Sequence, residues 1–596
     1  MSIISSIQQS VTSSLTQIFQ QPFTEKDFQV NQTKPEFEGD YTVVLFSLVK
    51  MLKQSPDSIG NTLGQHLTEN NPGLFTQFNI IKGFLNLTVA DDYWISILQK
   101  NHNDSCYGKK EMNGKKVMVE YSSPNTNKPL HLGHLRNNFL GWSVSEIMKA
   151  NGYEVIKSAI VNDRGIHICK SMIAWQLFAN GATPESTGIK GDHFVGNYYV
   201  QFNNEYKRQV DELLAAGSNK ETAEKEAPIM KATQQMLLDW EAGKPEVIEL
   251  WKKMNQWVYD GFDITYKRIG SNFDITYYES DTYLLGKDIV KQGLDKKVFY
   301  HKEDGSTWIN LTADGLDEKL VQRKDGTSVY ITQDIGLAQL KYQQYNIDQS
   351  IYVIGNEQNY HMKVLQLICQ KLGMPNADGI YHLSYGMVEL TSGKMKSREG
   401  TVVDADDLLD EMEDTARQHT EALGKVKDFT ADELKELYRV LALGALKFYL
   451  LRVDPKKTMV FNPTESIDFH GFTGPFVQYT HARIKSILRK VNPETIWYNS
   501  SIDTTTPLLA LEKELLLLLE QYGTVLQQAC KEQNPSLVAN YVFQLAQTFN
   551  SFYATHSVAN AESDAKKHLR LKLANMTANT IKSGMQLLGI QVPERM

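Results

Sequence analysis

The sequence predicts an α/β fold with a doubly wound parallel sheet at its centre. Residues 117–119 have the apolar composition of a buried strand, and the helix that follows carries Leu135, Phe139 and Leu140 on one face. A second apolar run at 154–161 completes a strand–helix–strand unit. Strand and helix patterns between 328 and 372 repeat this alternation, which is typical of parallel sheets covered by helices on both faces.

Residues 1–107 are predicted to form a smaller α+β unit in front of that sheet. The apolar spacing indicates helices at 4–19 and 41–52, and residues 83–89 alternate like a strand. The segment has no recognisable catalytic cluster. A packing or accessory-binding role is therefore favoured for it.

The sheet domain is predicted to span residues 108–430. Within it, residues from about 181 to 256 are polar and helical, which favours an insertion outside the sheet with a solvated charged face. Beyond 430 the strand patterns stop. Helices are predicted at 433–451, 475–491, 508–530, 535–552 and 563–588, so that residues 431–596 form an all-helical domain.

The second half of the sheet domain is predicted to bring further polar groups to one cleft. A strand at 328–332 precedes Asp334, and a strand at 350–355 precedes Gln358. Because ligands bind at the carboxyl ends of parallel strands, both groups are expected near the first motif. An alternative is that Asp334 only caps a helix.

Composition and charge limit the possible classes of protein. The 596 residues have a net charge of −8, so a nucleic-acid partner would need local basic patches. The four cysteines lie far apart, which argues against a structural metal site and against disulfides. With no recognisable leader and no apolar run long enough for a membrane span, the sequence predicts a cytoplasmic protein that does not contact membranes.

The stretch from 119 to 137 has the layout of a nucleotide site: a strand, a polar loop and a helix. His131, Gly133 and His134 lie where the helix begins, and free backbone N–H groups at that position can hold phosphate. A second candidate is the loop at 391–401, whose Lys394, Lys396 and Arg398 could stabilise a leaving pyrophosphate. A chance pair of histidines and a solvated basic turn are the alternatives.

One helix of the last domain combines aromatic and cationic side chains, which could stack on bases and pair with phosphates. An amphipathic helix with an apolar core face would look similar. The candidate residues for nucleic-acid contact are Phe476, Gln478, Tyr479 and Arg483.

These separated motifs together resemble the class I aminoacyl-tRNA synthetases, and within them the arginyl-tRNA synthetases. H-L-G-H at 131–134 is similar to the class signature His-Ile-Gly-His, and V-E-Y-S-S-P-N before it has the arginyl form. The resemblance continues at S-V-Y-I-T-Q-D-I-G, Y-V-I-G-N-E-Q-N-Y-H, G-P-F-V-Q-Y-T-H-A-R and V-P-E-R-M. It implies a Rossmann-type catalytic domain, an N-terminal domain that contacts the tRNA and a helical anticodon-binding domain.

The resemblance also implies an activity and a set of site residues. The expected reaction activates L-arginine with ATP, bound as its Mg²⁺ complex, and transfers it to tRNA(Arg), by an enzyme that is a monomer without a structural metal. Catalytic groups would be His131, His134, Lys128 and the three loop cations. ATP contacts are expected from Pro129, Leu132, Gly133, Gly386 and Met387, and arginine contacts from Glu120, Ser122, Asn125, Tyr330, Asp334, Gln358 and Glu279.

One departure from the family pattern concerns the loop signature Lys-Met-Ser-Lys-Ser. Here Ser397 takes the place of its second lysine, between Lys396 and Arg398. The resemblance implies that Lys128, just upstream of His131, replaces that lysine, and that bound tRNA is needed before arginine is activated. A synthetase for another amino acid and a non-catalytic RNA-binding paralogue are the competing hypotheses.

Overall fold

The computed structural model describes residues 2–34, 36–390, 403–424, 428–491, 500–503 and 507–596. In the N-terminal part, a four-stranded antiparallel sheet with the order β1-β2-β4-β3 packs against helices. Its elements are α1 (Ile3–Phe19), β1 (Gln29–Gln32), β2 (Tyr41–Val44), α2 (Phe46–Leu52), α3 (Pro56–Asn70), β3 (Phe75–Ile81), β4 (Phe84–Val89) and α4 (Asp91–Asn101).

This part agrees with the predicted first helix and the predicted strand, but it corrects the predicted helix at 41–52. Residues Tyr41–Val44 form a strand between β1 and β4, and only Phe46–Leu52 is helical. The β-branched and aromatic composition of the run Y-T-V-V suits a strand, and pairing on both sides decides its conformation.

The central sheet is built first from β5 (Lys116–Glu120), α5 (Leu132–Ala150), β6 (Glu154–Val161) and α6 (Ile166–Phe178). Its five strands have the order β12-β11-β5-β6-β7 and every pair is parallel, which confirms the predicted fold class. The chain runs from β5 to β6 on one side and places β11 on the other. The order therefore reverses beside β5, where open α/β sheets bind their ligands.

The predicted insertion is helical, as expected, and contributes no strand to this sheet among the described residues. Helix α8 nevertheless packs against α6 and the loop before α5. The helices are α7 (Pro184–Thr187), α8 (Gly191–Ala215), α9 (Lys220–Glu226), α10 (Pro228–Glu241) and α11 (Pro245–Ile269).

The next elements lead from the fifth strand of the sheet to a small three-stranded antiparallel sheet and back. The predicted strand at 328–332 is wrong, because helix α14 already begins at Tyr330. In order they are β7 (Ile275–Tyr278), α12 (Glu279–Thr282), α13 (Lys287–Asp295), β8 (Tyr300–His301), β9 (Thr307–Ile309), β10 (Lys319–Gln322), α14 (Tyr330–Tyr345), β11 (Gln349–Gly355), α15 (Asn359–Lys371), β12 (Ile380–Tyr385) and β13 (Val388–Leu390).

The described residues from 403 onward are helical, as predicted, except for one short strand that pairs in parallel with β13. Their elements are α16 (Ala405–Leu423), α17 (Ala431–Leu451), β14 (Met459–Phe461), α18 (Pro463–Ser466), α19 (Gly474–Lys490), α20 (Ala510–Glu532), α21 (Ser536–Thr555) and α22 (Asp564–Leu587). No helix of the described residues has the length and apolar character that a bilayer span requires.

Helix α5 connects the sheet to these later helices. Val144, Ile147 and Met148 are buried along it. At its outer side, the Ser143 hydroxyl donates to the Leu587 carbonyl at 2.8 Å and the Asn151 amide donates to the Leu526 carbonyl at 3.0 Å. The helix that begins at the histidine motif is thus packed on both sides.

Candidate active site

The two histidines of the first motif form a closed arrangement where α5 begins. His131 is the N-cap residue with an extended backbone, and its Nδ1 accepts a hydrogen bond from the Gly133 N–H at 3.1 Å. The backbone N–H of His131 in turn donates to Nδ1 of His134 at 3.1 Å. Because both Nδ1 atoms act as acceptors, each neutral ring carries its proton on Nε2. The ring centroids lie 3.8 Å apart.

Both rings are held in the neutral form. Burial and the neighbouring Lys128 lower the pKa of His131 to about 4, although Asp404 opposes the shift. Burial, His131 and Lys128 lower the pKa of His134 well below its usual range. At neutral pH the pair therefore offers N–H donors, and Lys128 supplies the permanent positive charge beside them.

Residues 403–405, which follow the predicted cationic loop at 391–401, form backbone hydrogen bonds with the start of α5. The backbone N–H of Leu132 donates to the Val403 carbonyl at 3.1 Å, and the N–H of Ala405 donates to the Leu130 carbonyl at 3.0 Å. The chain beyond the loop is therefore bonded directly to the first motif. Lys394, Lys396 and Arg398 themselves lie outside the described residues.

A cavity of about 210 Å³ opens between the first motif and the insertion helix α8. Lys128, Pro129 and His131 form one wall, and Asn197, Tyr199 and Asp404 are among the other lining residues. Gly196 brings α8 close, since a Cβ atom there would lie 2.9 Å from Cδ of Pro129. The contribution of α8 was not predicted, because its sequence pattern shows only a polar helix.

Arg136, which the sequence analysis did not select, fixes the predicted base pocket. Its guanidinium is fully buried and donates to the carbonyls of Gly386 at 2.6 Å and Lys457 at 2.9 Å. Burial lowers its pKa to about 10, so it stays charged at neutral pH. A Cβ atom at Gly386 would lie 2.5 Å from the Lys457 carbonyl carbon, and Met387 is 49% exposed.

The acidic residues predicted to bind the guanidinium each have a basic partner. Glu120 at the end of β5 is buried and accepts a close hydrogen bond from the buried Lys341 of α14. Asp334, also on α14, accepts from Nε2 of His361 at 2.6 Å. Tyr330 begins the same helix and is 75% exposed. The structure thus brings Glu120 and Asp334 to one helix face.

A third carboxylate, Glu279, belongs to the same neighbourhood. Burial raises its pKa, Arg164 opposes the rise, and the charges of Asp163 and Asp334 add to it. Arg164 stacks on the ring of Tyr283 at 3.9 Å. Glu279 is therefore close enough to Asp334 for their charges to interact.

The remaining arginine candidates lie between the main elements, Ser122 and Asn125 after β5 and Gln358 at the end of the short 3₁₀ helix Asn356–Gln358. Asn125 forms an isolated parallel bridge with Asn162, and Gln358 is exposed. Ser122 has a left-handed backbone with φ of 67°, and its hydroxyl shares a 2.7 Å hydrogen bond with the Tyr266 hydroxyl. Because Ser122 is buried, its hydroxyl helps to shape the loop. The contact of Ser122 with arginine stays a prediction.

Of the four tRNA candidates on α19, Phe476, Tyr479 and Arg483 are partly exposed and Gln478 is buried. Arg483 is half-buried, donates to the Asn550 side chain at 2.5 Å and lies 4.8 Å from the centre of the Tyr479 ring. Phe476 packs against Phe543. Gln478 is fully buried and donates to two carbonyls of the protein, and its tRNA contact stays a prediction.

A group of acidic and basic residues joins α8 to α16 beside the cavity. Ligand atoms of Asp192, His193 and Asp406 lie within 4.8 Å of one another, as in metal sites. The ammonium of Lys190, however, lies 2.9 Å from Asp192 and 2.6 Å from Asp406. Asp404 and Asp406 raise the pKa of His193 to about 10. These carboxylates are thus neutralised by side chains of the protein.

Comparisons with known proteins agree with this arrangement. Family models match residues 5–89 (arginyl tRNA synthetase N terminal domain), 96–462 (tRNA synthetases class I (R), catalytic domain) and 477–596 (DALR anticodon binding domain). A relative from Flavobacterium psychrophilum named arginine–tRNA ligase is 52% identical, with 100% of each chain covered. One of the same name from Bacteroides thetaiotaomicron is 50% identical, with 98% of each covered.

Solved structures show the same fold. An arginyl-tRNA synthetase from Thermus thermophilus superposes with a TM-score of 0.78 at 23% identity, with 100% of each chain covered. One from Plasmodium falciparum has a TM-score of 0.76 at 18% identity, covering 100% of this chain and 99% of that one. The full-length relatives and the matched catalytic domain show the family of this chain, and the solved structures show the same fold. The chain belongs to the arginyl-tRNA synthetases of class I.

Proposed function

We propose that the protein activates L-arginine with ATP and transfers it to the 3′ end of tRNA(Arg). A carboxylate oxygen of arginine attacks the α-phosphorus, the bond to the β-phosphate oxygen breaks, and diphosphate leaves. A terminal ribose hydroxyl of the tRNA then attacks the arginyl carbonyl, and AMP is released. The observation that carries this proposal is the neutral histidine pair at the start of α5, which follows β5 and its last residue Glu120, together with Asp334 on α14, the helix whose Lys341 pairs with Glu120.

In the activation step, the protein positions groups and stabilises charge. The Nε2–H groups of His131 and His134 would donate to phosphate oxygens, and the start of α5 adds its positive dipole end. Lys128 would stabilise the charge that develops on the α-phosphate, assisted by the loop cations and by the Mg²⁺ that ATP brings. Gly386 and Met387, held by Arg136, would contact the base.

Arginine would be selected by its flat, permanently charged guanidinium. Glu120 and Asp334 offer carboxylate oxygens to its N–H fork, Tyr330 offers a ring, and Glu279 adds a nearby charge. Asn125 and Gln358 would hold the α-amino and carboxylate end. Lysine cannot satisfy the same acceptors, and unpaired buried acceptors support strong discrimination.

For the other parts of the chain we propose the boundaries 1–107, 108–430 and 431–596. The helical part would bind the anticodon region through Arg483, Tyr479 and Phe476, and the N-terminal part would contact the outer corner of the tRNA. The enzyme would act as a monomer in the cytoplasm. The four cysteines are all free thiols, which suits a reducing compartment.

The decisive experiment is aminoacylation of total tRNA with labelled arginine, with labelled lysine as the control. We expect charging with arginine alone. Glu120→Gln should raise KM for arginine and leave KM for ATP unchanged. The matched control is Glu154→Gln on the neighbouring strand, where a partly exposed carboxylate pairs with Lys116. Equal charging with lysine would contradict the proposed specificity.

A second measurement concerns the order of events. Arginine-dependent exchange between ATP and pyrophosphate should be negligible without tRNA and strong with it, because the family resemblance implies that tRNA completes the arginine pocket. Strong exchange in the absence of tRNA would show that the free enzyme is already competent.

A further inference from the structure

Lys341 lies next to the proposed guanidinium pocket, yet no role in the reaction has been assigned to it. It lies two turns beyond Asp334 on the same face of α14, and its ammonium is buried against the carboxylate of Glu120. The ammonium lies 4.5 Å from the centre of the Tyr352 ring. An ion pair so deeply buried between a helix and the centre of a sheet is costly to form, because both charges lose their hydration. Its position suggests a use beyond stability.

We infer that Lys341 is a positioning residue for arginine: it keeps Glu120 ionised in the empty pocket and leaves one carboxylate oxygen for the substrate. This inference rests on the proposed function. Among the described hydrogen bonds, Lys341 uses Oε2 of Glu120 and His361 uses Oδ2 of Asp334. Each acid therefore keeps its second oxygen, Oε1 or Oδ1. A guanidinium can donate to two such oxygens with different N–H groups of its fork.

The charges support the same reading. Lys341 balances the negative charge of Glu120, so Asp334 and the nearby Glu279 supply the net negative charge that a guanidinium would meet. Without Lys341, the empty pocket would bury an unpaired carboxylate, and such a group takes up a proton instead of staying charged. Arginine would then have to displace that proton in order to bind.

Other titratable groups from three neighbouring elements surround the pair. Tyr352 from β11 and Tyr277 from β7 have their pKa values raised, first of all by burial. Cys369 from α15 has its pKa raised to about 12 by burial and by Asp334. His361 from α15 contacts Asp334 and not Glu120. Lys341 is thus the permanent cation that faces Glu120 among the described residues.

The test measures KM for arginine in tRNA aminoacylation at several pH values, for the wild type and for Lys341→Met. At each pH, the KM of the variant is divided by the KM of the wild type to give a KM ratio. The division cancels the titration of the substrate and of His361. We expect the ratio to rise about tenfold for each unit by which the pH is lowered, since one proton is released for each arginine bound. Lys341→Arg, which keeps a permanent cation, should show a ratio independent of pH.

Two further variants make the result specific. Adding Glu120→Gln to Lys341→Met should abolish the pH dependence, because the titrating carboxylate is gone. Lys157→Met removes another buried lysine of the same sheet, which pairs with Glu146 at 2.7 Å, and should leave the ratio flat. If Lys341→Met does not fold, Lys341→Gln takes its place with the same expected slope.

The outcomes separate this inference from the proposed function. A flat ratio in Lys341→Met or Lys341→Gln, together with a raised KM in Glu120→Gln, would overturn the role of Lys341 and leave the arginine site intact. A slope that persists in the double variant would overturn it too, since the titrating group would not be Glu120. An unchanged KM in Glu120→Gln would instead contradict the arginine site itself.

Discussion

Lys128 lies beside the two histidines of the proposed phosphate site. Its charge lowers the pKa of both His131 and His134, which shows how near it lies to each ring. A cation at this position can stabilise the charge that develops on the α-phosphate, while the neutral rings contribute hydrogen bonds. We therefore propose that the three side chains form one phosphate site with divided roles.

We predict that Lys128→Ala reduces arginine-dependent ATP–pyrophosphate exchange, measured with tRNA present, by at least about 100-fold, as expected for the loss of a charge that stabilises the transition state. Lys128→Arg should retain part of the activity. The control is Lys252→Ala on the exposed face of α11. Unchanged exchange in Lys128→Ala would assign the role to another cation.

Single residues also show how far the sequence alone could lead. His131 and His134 were found because a helix start and a short motif are local patterns. Lys341 and Arg136 could not be found in this way. Lys341 pairs with a residue 221 positions earlier, and Arg136 bonds to carbonyls about 250 to 320 positions later, and no periodicity records such contacts.

Among the secondary-structure elements, local composition predicted the wrong conformation where tertiary packing determines it. The run S-V-Y-I-T at 328–332 has β-branched and aromatic residues, yet it leads into helix α14. The usable signal was the spacing of Ile331, Ile335 and Ala338, which are buried on one face of that helix. Of the five parallel strands, β5, β6 and β11 were predicted from their apolar runs, whereas the edge strands β7 and β12 were not.

Arg136 of helix α5 bonds to the backbone of the proposed base pocket, and this support can be tested. Arg136→Lys keeps the charge but loses the fork that reaches carbonyls of two segments. We expect KM for ATP to rise about tenfold, since one hydrogen bond of a charged group contributes about 1.5 kcal/mol. Arg417→Lys on the surface of α16 is the control. A rise in KM for arginine alone would contradict this role.

Helix α19 carries the proposed contact with tRNA. Arg483→Ala should raise the Kd for tRNA and reduce the salt dependence of binding by about one unit of log K against log salt, because one phosphate contact is lost. Lys531→Ala on the exposed side of α20 should change neither quantity. If the slope of Arg483→Ala equals that of the wild type, its guanidinium does not contact phosphate.

The whole molecule should lose stability in mild acid. Burial lowers the pKa of His102, His131 and His481 to about 4, and it also lowers the pKa of His134 well below its usual range. Between about pH 6.5 and about pH 4 the unfolded chain therefore binds protons that the native state rejects. The free energy of unfolding should fall by up to about 1.4 kcal/mol per pH unit for each histidine.

His193 does not oppose this trend. Its pKa is raised to about 10, so its stabilising charge is fully present below about pH 6.5 and is lost only as the pH rises toward 10. Urea unfolding at several pH values measures the slope. His481→Gln should make it shallower, whereas His470→Gln, at an exposed position, should not. An equal slope in both variants would contradict the assignment to His481.

Helix α5 also has a consequence for how the protein is made. Its outer side is completed by carbonyls of Leu526 and Leu587, and Lys447 beside it donates to the carbonyl of Gly589 at 2.7 Å. On the ribosome these partners emerge long after α5 itself. A nascent chain can therefore build its parallel sheet early, as N-terminal parts generally fold first, but it cannot finish packing the histidine-bearing helix. We expect catalytic competence only after Leu587 and Gly589 have emerged and packed.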